Sequence, residues 1–310
     1  MALLPGETIK QRYRIISLLS HGAYGNVYRV WDTADQQEYA LKEYLSTSPD
    51  IQKRFKQQAR QLSALKHPQL PAVHDTFSLP DSGQYLVTDY IAGVSLQELL
   101  DQYGPLPAER IITWLQAACE PLRYLHSKKQ LHLDIKPANV RLTPEGAVFL
   151  VDSGLPALGV SPGTAGYAPP EQQQQNNVDE KSDLYSLGAT LYALLTNEVP
   201  AAALKRQSGL ATLTPARDLN PNSPPYLSIV ANRAMSLRPD TRFDSLDEFA
   251  AALTNPHGTP PESTTPRRTP HAFTMPPPRL TETNRPTVPR RTIWGLTVIF
   301  LIVIATLASL

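Results

Sequence analysis

Short apolar segments with strand-like spacing dominate the first part of the chain. YRIISLLS and NVYRVWD flank a turn that contains glycine, EYALKEY follows them, and each segment predicts a strand. The next segment, IQKRFKQQARQLSALKH, predicts a helix, because its apolar residues stand three or four positions apart and share one face. These residues are Ile51, Phe55, Ala59, Leu62 and Leu65. QYLVTDYI then predicts another strand.

After this point the apolar periodicity is largely helical. Four segments predict helices, namely SLQELLDQY, ERIITWLQAACEPLRYLHSK, KSDLYSLGATLYALLTN and SLDEFAAALT. A small strand-rich part followed by a larger helical part predicts an α+β fold of two lobes. We expect a binding cleft between the lobes, because ligand sites favour such junctions.

The composition changes near residue 254, where the apolar periodicity ends. Residues 254–291 are rich in proline, with Ser, Thr and Arg between the prolines. Such a segment cannot bury enough apolar surface to offset the entropy lost on ordering, which disfavours a folded subdomain. We therefore interpret residues 254–291 as an extended Pro-rich linker and residues 10–253 as the folded domain before it.

Residues 292–310, TIWGLTVIFLIVIATLASL, carry no charge. As a helix they extend about 28 Å, close to the ~30 Å hydrocarbon thickness of a bilayer, so we predict a single transmembrane helix. A buried core helix is the alternative, but the linker separates this segment from any core. Trp294 suits an interfacial position. Since the sequence stops within the predicted span, we expect either a tail anchor or a chain that continues further.

Two arginines, Arg290 and Arg291, stand at the entry to the predicted span. By the positive-inside rule they predict that the preceding domain is cytoplasmic and tethered to the cell membrane, and they suit contact with anionic lipids. The formal net charge of +1 argues against nucleic acid as a partner. Cys119 is the only cysteine, which predicts a reducing compartment and no internal disulfide.

Two motifs in the strand-rich part are weak by themselves. HGAYGNVY lies between two predicted strands, and its small residues allow backbone N–H groups to approach a polyphosphate. A glycine-containing hairpin turn explains the same pattern equally well. Lys42 stands in the strand YALKEY, where a lysine is usually just solvated.

The segments HLDIKPANV and LVDSG carry the strongest chemical pattern. Asp134, Lys136 and Asn139 fall within six residues, and Asp152 follows thirteen residues after Asn139. Together they supply a carboxylate to orient a hydroxyl, an ammonium for a phosphoryl group, and two oxygen ligands suited to Mg²⁺. A polar loop with a helix cap does not account for four such residues in this order.

In their order and spacing these motifs resemble those of protein kinases, over roughly residues 10–253. GTAGYAPPEQ is similar to the family's GTxGYxAPE stretch, KSDLYSLG to its D-x-x-x-x-G helix, and RPDTRF carries its closing Arg. A kinase domain followed by a Pro-rich segment and one membrane helix resembles the bacterial, eukaryotic-like (Hanks-type) Ser/Thr kinases. The resemblance implies a two-lobed fold that transfers the γ-phosphoryl of ATP to Ser or Thr of protein substrates.

The resemblance also implies roles for single residues. Asp134 would orient the substrate hydroxyl or accept its proton, Lys136 would steady the γ-phosphoryl, and Lys42 would hold the α- and β-phosphates. Asn139 and Asp152 would hold Mg²⁺. The other residues that it places around ATP are Ser20, Gly22, Gly25, Val27, Ala40, Thr88, Asp89, Ile91 and Arg141.

Within that set, Ser20, Gly22 and Gly25 would cover the phosphates, and Val27 and Ala40 would form the roof above the adenine. Thr88 would be the gatekeeper, and the backbone of residues 89–91 would bind the adenine as the hinge.

Outside the nucleotide site, the resemblance assigns three further residues. Thr164 would lie in the substrate-docking loop, where kinases of this kind select Ser or Thr over Tyr. Glu171 and Arg242 would form a buried ion pair with a structural role.

Several positions depart from the family pattern. Ser20 replaces the first glycine of the phosphate loop, and Leu133 replaces the Arg of H-R-D, which predicts weak control by phosphorylation of the activation loop. Gln58 stands where the Glu that pairs with the strand lysine belongs, and we expect it at most to hydrogen-bond Lys42 without charge assistance. Arg141 replaces an apolar residue under the adenine, where it either stacks on the base or obstructs the pocket.

Ser153 replaces the aromatic residue of D-F-G. The missing ring would lie near Leu62 and His132, so its loss predicts a void or a water-filled gap. We expect a cost of about 3–5 kcal/mol if the site cannot close.

Two functions remain open on these grounds. The first is an active ATP-dependent Ser/Thr kinase, because Lys42, Asp134, Asn139 and Asp152 are all present. The second is a membrane-tethered pseudokinase that senses nucleotide or acts as a scaffold, because the altered residues position the reacting groups. A small-molecule phosphotransferase is disfavoured, since those enzymes lack the segment that GTAGYAPPE resembles.

Overall fold

The computed structural model describes residues 2–22, 25–45, 48–79, 83–153 and 163–255. The predicted linker beyond residue 255 and the predicted span at 292–310, with Arg290 and Arg291, lie outside these ranges. Among the helices of the described ranges, none combines the length and apolar character that a membrane crossing requires.

The N-terminal lobe is built on a six-stranded antiparallel sheet. Its order is β1-β2-β3-β4-β6-β5, so the last two strands in sequence exchange places at the edge. The strands are β1 Thr8–Ile9, β2 Tyr13–Gly22, β3 Gly25–Asp32, β4 Gln37–Tyr44, β5 Val73–Leu79 and β6 Gly83–Asp89. The β2–β3 hairpin closes with Gly22 opposite Gly25, at the turn that the sequence predicts.

The two faces of this sheet bury different clusters. One face carries an aromatic core that includes Tyr13, Tyr28 and Tyr85, each at most 1% exposed. Helix α1, Pro49–Ser63, packs on the other face through Phe55, Ala59 and Leu62, the residues that the helical spacing predicts. The predicted helix extends to His67 but α1 ends four residues earlier, because Pro68 disfavours helical backbone in the residue before it.

The C-terminal lobe is helical. Its first elements are α2 Leu96–Tyr103 and α3 Ala108–Ser127, with a small sheet of β7 Val94–Ser95, β8 Val140–Leu142 and β9 Val148–Leu150. The later helices are α4 Pro170–Gln173, α5 Glu180–Thr196, α6 Ala203–Gln207, α7 Ala216–Leu219, α8 Pro225–Ala234 and α9 Leu246–Ala252. Residues 182–196 of α5 are all buried, which makes α5 the central helix of the lobe.

The predicted α+β plan of a strand-rich lobe followed by a helical lobe is confirmed. Strand β5 and helix α8 were not predicted, and neither were the shorter elements β1, β7, β8, β9, α4, α6 and α7. Strand β5 is an edge strand whose residues alternate between exposed and half-buried positions, so it lacks the apolar run that marks β6. Helix α8 begins at Pro225, directly after Pro224; two consecutive prolines resemble a loop in sequence, but a proline suits the first turn of a helix.

Candidate active site

The segment from His132 to Asn139 follows α3, and hydrogen bonds to the first turn of α5 hold it in place. Asp183, which is fully buried, accepts hydrogen bonds from the backbone N–H groups of His132 (2.9 Å) and Leu133 (2.8 Å). His126 Nε2 donates to the same carboxylate at 2.8 Å. Burial alone would raise the pKa of Asp183, but the hydrogen bond and charge of His126 outweigh it and lower the pKa. Asp183 therefore stays ionised and holds the loop in place.

Two residues of this region have left-handed backbone, which is costly for residues other than glycine. They are Leu133 with φ 60° and Asp152 with φ 66°. The residues that precede these two, His132 and Val151, contact each other: the His132 side chain hydrogen-bonds the Val151 carbonyl at 3.1 Å. Burial lowers the pKa of His132, which keeps the ring neutral. The surrounding contacts thus hold the backbone in a conformation that directs Asp134 and Asp152 toward the cleft.

The Asp134 carboxylate is the centre of a dense hydrogen-bond network. Thr164 Oγ1 donates to Asp134 Oδ1 at 2.6 Å, and Lys136 Nζ donates to Asp134 Oδ2 and to Thr164 Oγ1, both at 2.8 Å. Asn139 Nδ2 donates to the Asp134 carbonyl O at 2.7 Å and to Oδ2 at 2.9 Å. Two neighbours in sequence and the distant Thr164 therefore converge on one carboxylate, and the Thr164 hydroxyl is of the type that a Ser or Thr substrate carries.

Lys42 and Asp152 meet across the cleft between the lobes. Lys42 lies on β4 and its Nζ is 2.5 Å from Asp152 Oδ1. Burial alone would raise the pKa of Asp152, but the Lys42 charge and hydrogen bond lower it, so the carboxylate is ionised at neutral pH. Asn139 uses its amide nitrogen on Asp134, which leaves its Oδ1 as the atom available to a cation.

These residues fit a bound Mg²⁺. The ion is usually held by one or two protein oxygens together with substrate phosphates, and not by a cage of protein ligands. Asn139 and Asp152 are two such oxygens, and the described residues include no cluster of three or more His, Cys, Asp or Glu that could hold a metal ion alone.

The predicted roof residues lie on the cleft side of the sheet. Val27 on β3 pairs with Lys42 on β4, and Ala40 on β4 pairs with Thr88 on β6. Because side chains alternate along a strand, Ala40 and Lys42 face the same side. Gly25 has φ +148°, and a Cβ there would meet the Glu43 carbonyl O at 1.7 Å, so only glycine allows the strands to approach this closely.

Ser20 and Asp89, the first residue of the predicted hinge, also belong to the residues predicted to surround ATP. Ser20 lies on β2 opposite Val27, just beyond a register shift, and its side chain is exposed. The Asp89 carboxylate accepts from the Ala72 N–H at 2.8 Å and lies 2.6 Å from His74 Nε2, so this side chain points away from the cleft.

Arg141 is bound to the backbone of the segment that joins the lobes. Its Nε donates to the Ile91 carbonyl O at 3.0 Å and its Nη2 to the Gly93 carbonyl O at 2.6 Å. These two hydrogen bonds fix the position of the guanidinium. The backbones of Gly93 and Leu142 approach each other closely beside Arg141. This approach requires glycine at position 93, because a Cβ there would lie 2.0 Å from the Leu142 carbonyl O.

Comparison with known proteins agrees with this geometry. The model of the protein kinase domain family matches residues 13–230, more than half of the chain. The chain belongs to the protein kinase domain family. The solved structure of the apo form of PpkA-294 superimposes on 81% of the chain and 99% of its own length, with a TM-score of 0.65 and 25% sequence identity.

Curated relatives of the kinase domain include bacterial serine/threonine-protein kinases. The serine/threonine-protein kinase PknB of Mycobacterium tuberculosis is 31% identical over 279 residues, and the serine/threonine-protein kinase PrkC of Bacillus subtilis is 27% identical over 269 residues. The matches include 82% and 81% of this chain but only 44% and 41% of those proteins. The chain thus spans less than half the length of these relatives, and its domain is of the bacterial Hanks type.

In this kinase domain the residue at the position of the helix glutamate does not reach the strand lysine. Gln58 Nε2 donates to Gln130 Oε1 at 3.3 Å, across to the end of α3, and makes no hydrogen bond with Lys42. The Gln58–Lys42 hydrogen bond that the sequence allows is therefore not formed. A neutral amide attracts an ammonium less strongly than a carboxylate does, and the Lys42 ammonium pairs with the ionised Asp152.

We expect Gln58→Glu to raise the rate of phosphoryl transfer. A carboxylate at position 58 would hydrogen-bond Lys42 instead of Gln130. Asp152 would then be free to bind the metal ion. A charge-assisted hydrogen bond exceeds a neutral one by about 1.4 kcal/mol, so we expect roughly a tenfold gain in kcat/KM for ATP. Gln57→Glu is the matched control, because Gln57 is an exposed neighbour on α1 and the change adds the same charge. Equal rates for the two variants would contradict the ion-pair argument.

Ser153 borders a cavity between α1 and the sheet. The cavity measures about 20 Å³, close to the size that holds a single water molecule. Its lining includes Lys42, Leu62, Leu86, Thr88, Asp152 and Ser153. Among the described residues, the space beside Ser153 is therefore much smaller than an aromatic ring.

Restoring the aromatic residue is expected to destabilise the domain. A phenyl ring is far larger than the cavity beside Ser153, so Ser153→Phe would overpack Leu62 and lower the free energy of unfolding by about 1–3 kcal/mol. Urea unfolding of Ser153→Phe and Ser153→Ala checks this, since the alanine adds no volume. A Phe variant more stable than the unmodified protein would show that the cavity expands to accept a ring.

Some functional contacts were not evident from sequence reasoning. The resemblance marks Asp183 only as part of a family helix, and no spacing rule connects it with His126 or with the backbone at 132–133. A buried carboxylate in the first turn of an otherwise apolar helix is the only signal in the sequence. Leu133 is 6% exposed and packs inward. The prediction about activation-loop phosphorylation concerns residues 154–162, which lie outside the described residues.

Proposed function

We propose that this chain is an ATP- and Mg²⁺-dependent Ser/Thr protein kinase that modifies protein substrates at the cytosolic face of the cell membrane. The observation that carries the proposal is the convergence of Lys136, Asn139 and Thr164 on the Asp134 carboxylate, with the Lys42–Asp152 pair opposite. Reacting groups arranged in this way suit the transfer of a phosphoryl group to a hydroxyl.

Each residue has a task in this proposal. The Asp134 carboxylate orients the substrate hydroxyl and accepts its proton. The Thr164 hydroxyl donates a hydrogen bond to this carboxylate and so helps to hold it in position. Lys136 already bridges Asp134 and Thr164, so its ammonium lies where a transferring phosphoryl group would pass. Lys42, which pairs with Asp152, would hold the α- and β-phosphates when ATP is bound. Asn139 and Asp152 would hold Mg²⁺, which would supply charge neutralisation on the phosphates.

The base of ATP is expected to lie under Val27 and Ala40, beside Thr88 and above β8. The backbone of residues 89–91 would provide its hydrogen bonds. Ser20, Gly22 and Gly25 would cover the phosphates from the β2–β3 hairpin. Phosphate contacts from that hairpin use backbone N–H groups, so the serine at the first glycine position is compatible with binding.

A pseudokinase is the second candidate, and one observation favours it. Lys42 and Asp152 neutralise each other directly, while Gln58 is engaged by Gln130. A domain in this arrangement must separate the pair before nucleotide and metal bind, which weakens binding. A membrane-tethered scaffold or nucleotide sensor would need no turnover.

Phosphoryl transfer by the full chain in detergent micelles distinguishes the candidates. The assay combines labelled ATP, Mg²⁺ and a generic protein substrate, followed by identification of the labelled amino acid. Label on serine or threonine supports the kinase. A thermal shift with ATP and Mg²⁺ but no transfer indicates a nucleotide-sensing pseudokinase, and the absence of both indicates a scaffold.

The membrane anchor is proposed from the charge-free stretch at 292–310 and its flanking arginines. The full chain is expected to stay with membranes through alkaline and high-salt washes and to be released by detergent. A chain truncated after residue 291 is expected in the soluble fraction. Weaker association of an Arg290→Ala, Arg291→Ala variant of the truncated chain with anionic vesicles would support the lipid contact. Retention of the truncated chain on membranes after the washes would contradict the anchor.

A further inference from the structure

The guanidinium of Arg141 lies where the lobes are joined, and its hydrogen bonds reach only backbone. Its Nε and Nη2 bind the carbonyl oxygens of Ile91 and Gly93, and its Nη1 is 4.0 Å from Glu98 Oε2. The side chain is 22% exposed. A cation bound to two carbonyls and partly buried is held firmly, because bonds from an ionised donor are about twice as strong as neutral ones.

The backbone groups of residues 89–93, the segment that joins the lobes, differ in the hydrogen bonds that they make. The Ile91 N–H makes no hydrogen bond with the described residues, and the Asp89 carbonyl O lies 3.5 Å from Thr88 Oγ1. The Ile91 carbonyl O is occupied by Arg141. The segment therefore offers a ligand the carbonyl O of Asp89 as an acceptor and the N–H of Ile91 as a donor. The next acceptor, the Ile91 carbonyl O, is already bound by the Arg141 guanidinium.

An adenine base matches the first two of these groups. Its N6 amino group can donate to the Asp89 carbonyl while its N1 accepts from the Ile91 N–H, which leaves position 2 of the ring beside the Ile91 carbonyl. In adenine this position is a C–H group. A purine with an amino group at position 2 would direct an N–H donor at the carbonyl that Arg141 holds.

We infer that Arg141 determines base selectivity by withholding the Ile91 carbonyl from the nucleotide. This inference rests on the proposed nucleotide-binding function. A 2-amino group would approach the same oxygen as the positive guanidinium, and repulsion between the two donors offsets what the amino group gains from sharing that acceptor. An apolar residue at position 141, which the family resemblance implies, leaves the carbonyl unoccupied and lets the same amino group bind.

Equilibrium binding of two nucleotides to the full chain in detergent tests the inference. The probes are ATP and 2-aminoadenosine triphosphate, each with Mg²⁺, and the measured quantity is the ratio of their Kd values for each protein. The ratio cancels changes in packing under the base. We expect a ratio near one for the unmodified protein, and roughly 3- to 10-fold tighter binding of the 2-amino nucleotide in Arg141→Leu, the effect of one neutral hydrogen bond.

Arg141→Met provides a second, unbranched replacement if the leucine variant does not fold. Arg206→Leu is the matched control, because the half-buried Arg206 also donates to a backbone carbonyl, that of Met235 at 3.0 Å, in the helical lobe. Its ratio should equal that of the unmodified protein. An unchanged ratio in both Arg141 variants, or an unmodified protein that already prefers the 2-amino nucleotide, overturns the inference while ATP binding stands. Failure of the unmodified protein to bind either nucleotide refutes the nucleotide-binding function, and the inference with it.

Discussion

Replacing Asp134 with alanine is expected to lower the rate of phosphoryl transfer by about 10³-fold while ATP still binds. The side chain accepts hydrogen bonds from Lys136, Asn139 and Thr164, so its loss removes both the base and the group that orients its neighbours. The groups proposed to hold the base and the α- and β-phosphates of ATP lie on the other lobe and on the joining segment. The measurements are single-turnover transfer and, separately, nucleotide affinity.

Asp101→Ala is the control for this substitution. Asp101 is an exposed carboxylate on α2 that accepts a hydrogen bond from Gln97, so its removal changes charge by the same amount without touching the cleft. We expect transfer by this variant to stay within about twofold of the unmodified rate. Thermal unfolding of both variants separates lost catalysis from lost folding. An Asp134→Ala protein that keeps more than a tenth of the rate would be incompatible with the proposed role.

Glu171→Ala is expected to lower the free energy of unfolding by about 3–5 kcal/mol, because it leaves a buried cation without its partner. Arg242 has a fully buried side chain and donates to Glu171 Oε1 at 2.7 Å and Oε2 at 3.0 Å. Its other hydrogen bonds go to backbone carbonyls, including those of Lys181 and Ser236, and its guanidinium lies 5.1 Å from the Tyr185 ring. The contact thus joins α4 to the chain before α9 through the start of α5.

Urea unfolding measures this loss. Asp240→Ala breaks the exposed pair of Arg238 and Asp240, which lies close to Arg242 in the chain, and should leave the unfolding midpoint unchanged. Replacing both buried partners, as in Glu171→Leu with Arg242→Met, is expected to recover part of the stability, since an apolar pair needs no compensation. Equal midpoints for Glu171→Ala and Asp240→Ala would mean that the buried pair contributes no more than the exposed one.

The same pair predicts the sign of a pH dependence. Burial alone would raise the pKa of Glu171, but the hydrogen bond and charge of Arg242 outweigh it and lower the pKa. A lowered pKa contributes stability above the ordinary glutamate value of about 4.3, and this stability is lost as pH falls through the folded-state pKa. The stability difference between the unmodified protein and Glu171→Gln should therefore shrink in that acidic range and remain constant near neutral pH.

Local pattern predicted much of this fold because the decisive signals are short-range. The spacing of Phe55, Ala59 and Leu62 defines the buried face of α1 without reference to the rest of the molecule. Strand β5 was missed because it lacks an apolar run and helix α8 because two prolines stand at its start, and the neighbouring elements provide the stability of both. Both require a partner surface that no window of sequence contains.

The sequence by itself determined which reacting groups the chain carries and in what order, since Lys42, Asp134, Asn139 and Asp152 are recognisable by type and spacing. The tertiary structure decided which side chains meet. It pairs Gln58 with Gln130, 72 residues away, directs Arg141 to carbonyls about 50 residues earlier, and supports the catalytic loop on Asp183 from 50 residues later. Such partners depend on packing and on competition between nearby donors and acceptors, and these exist only once the chain has folded.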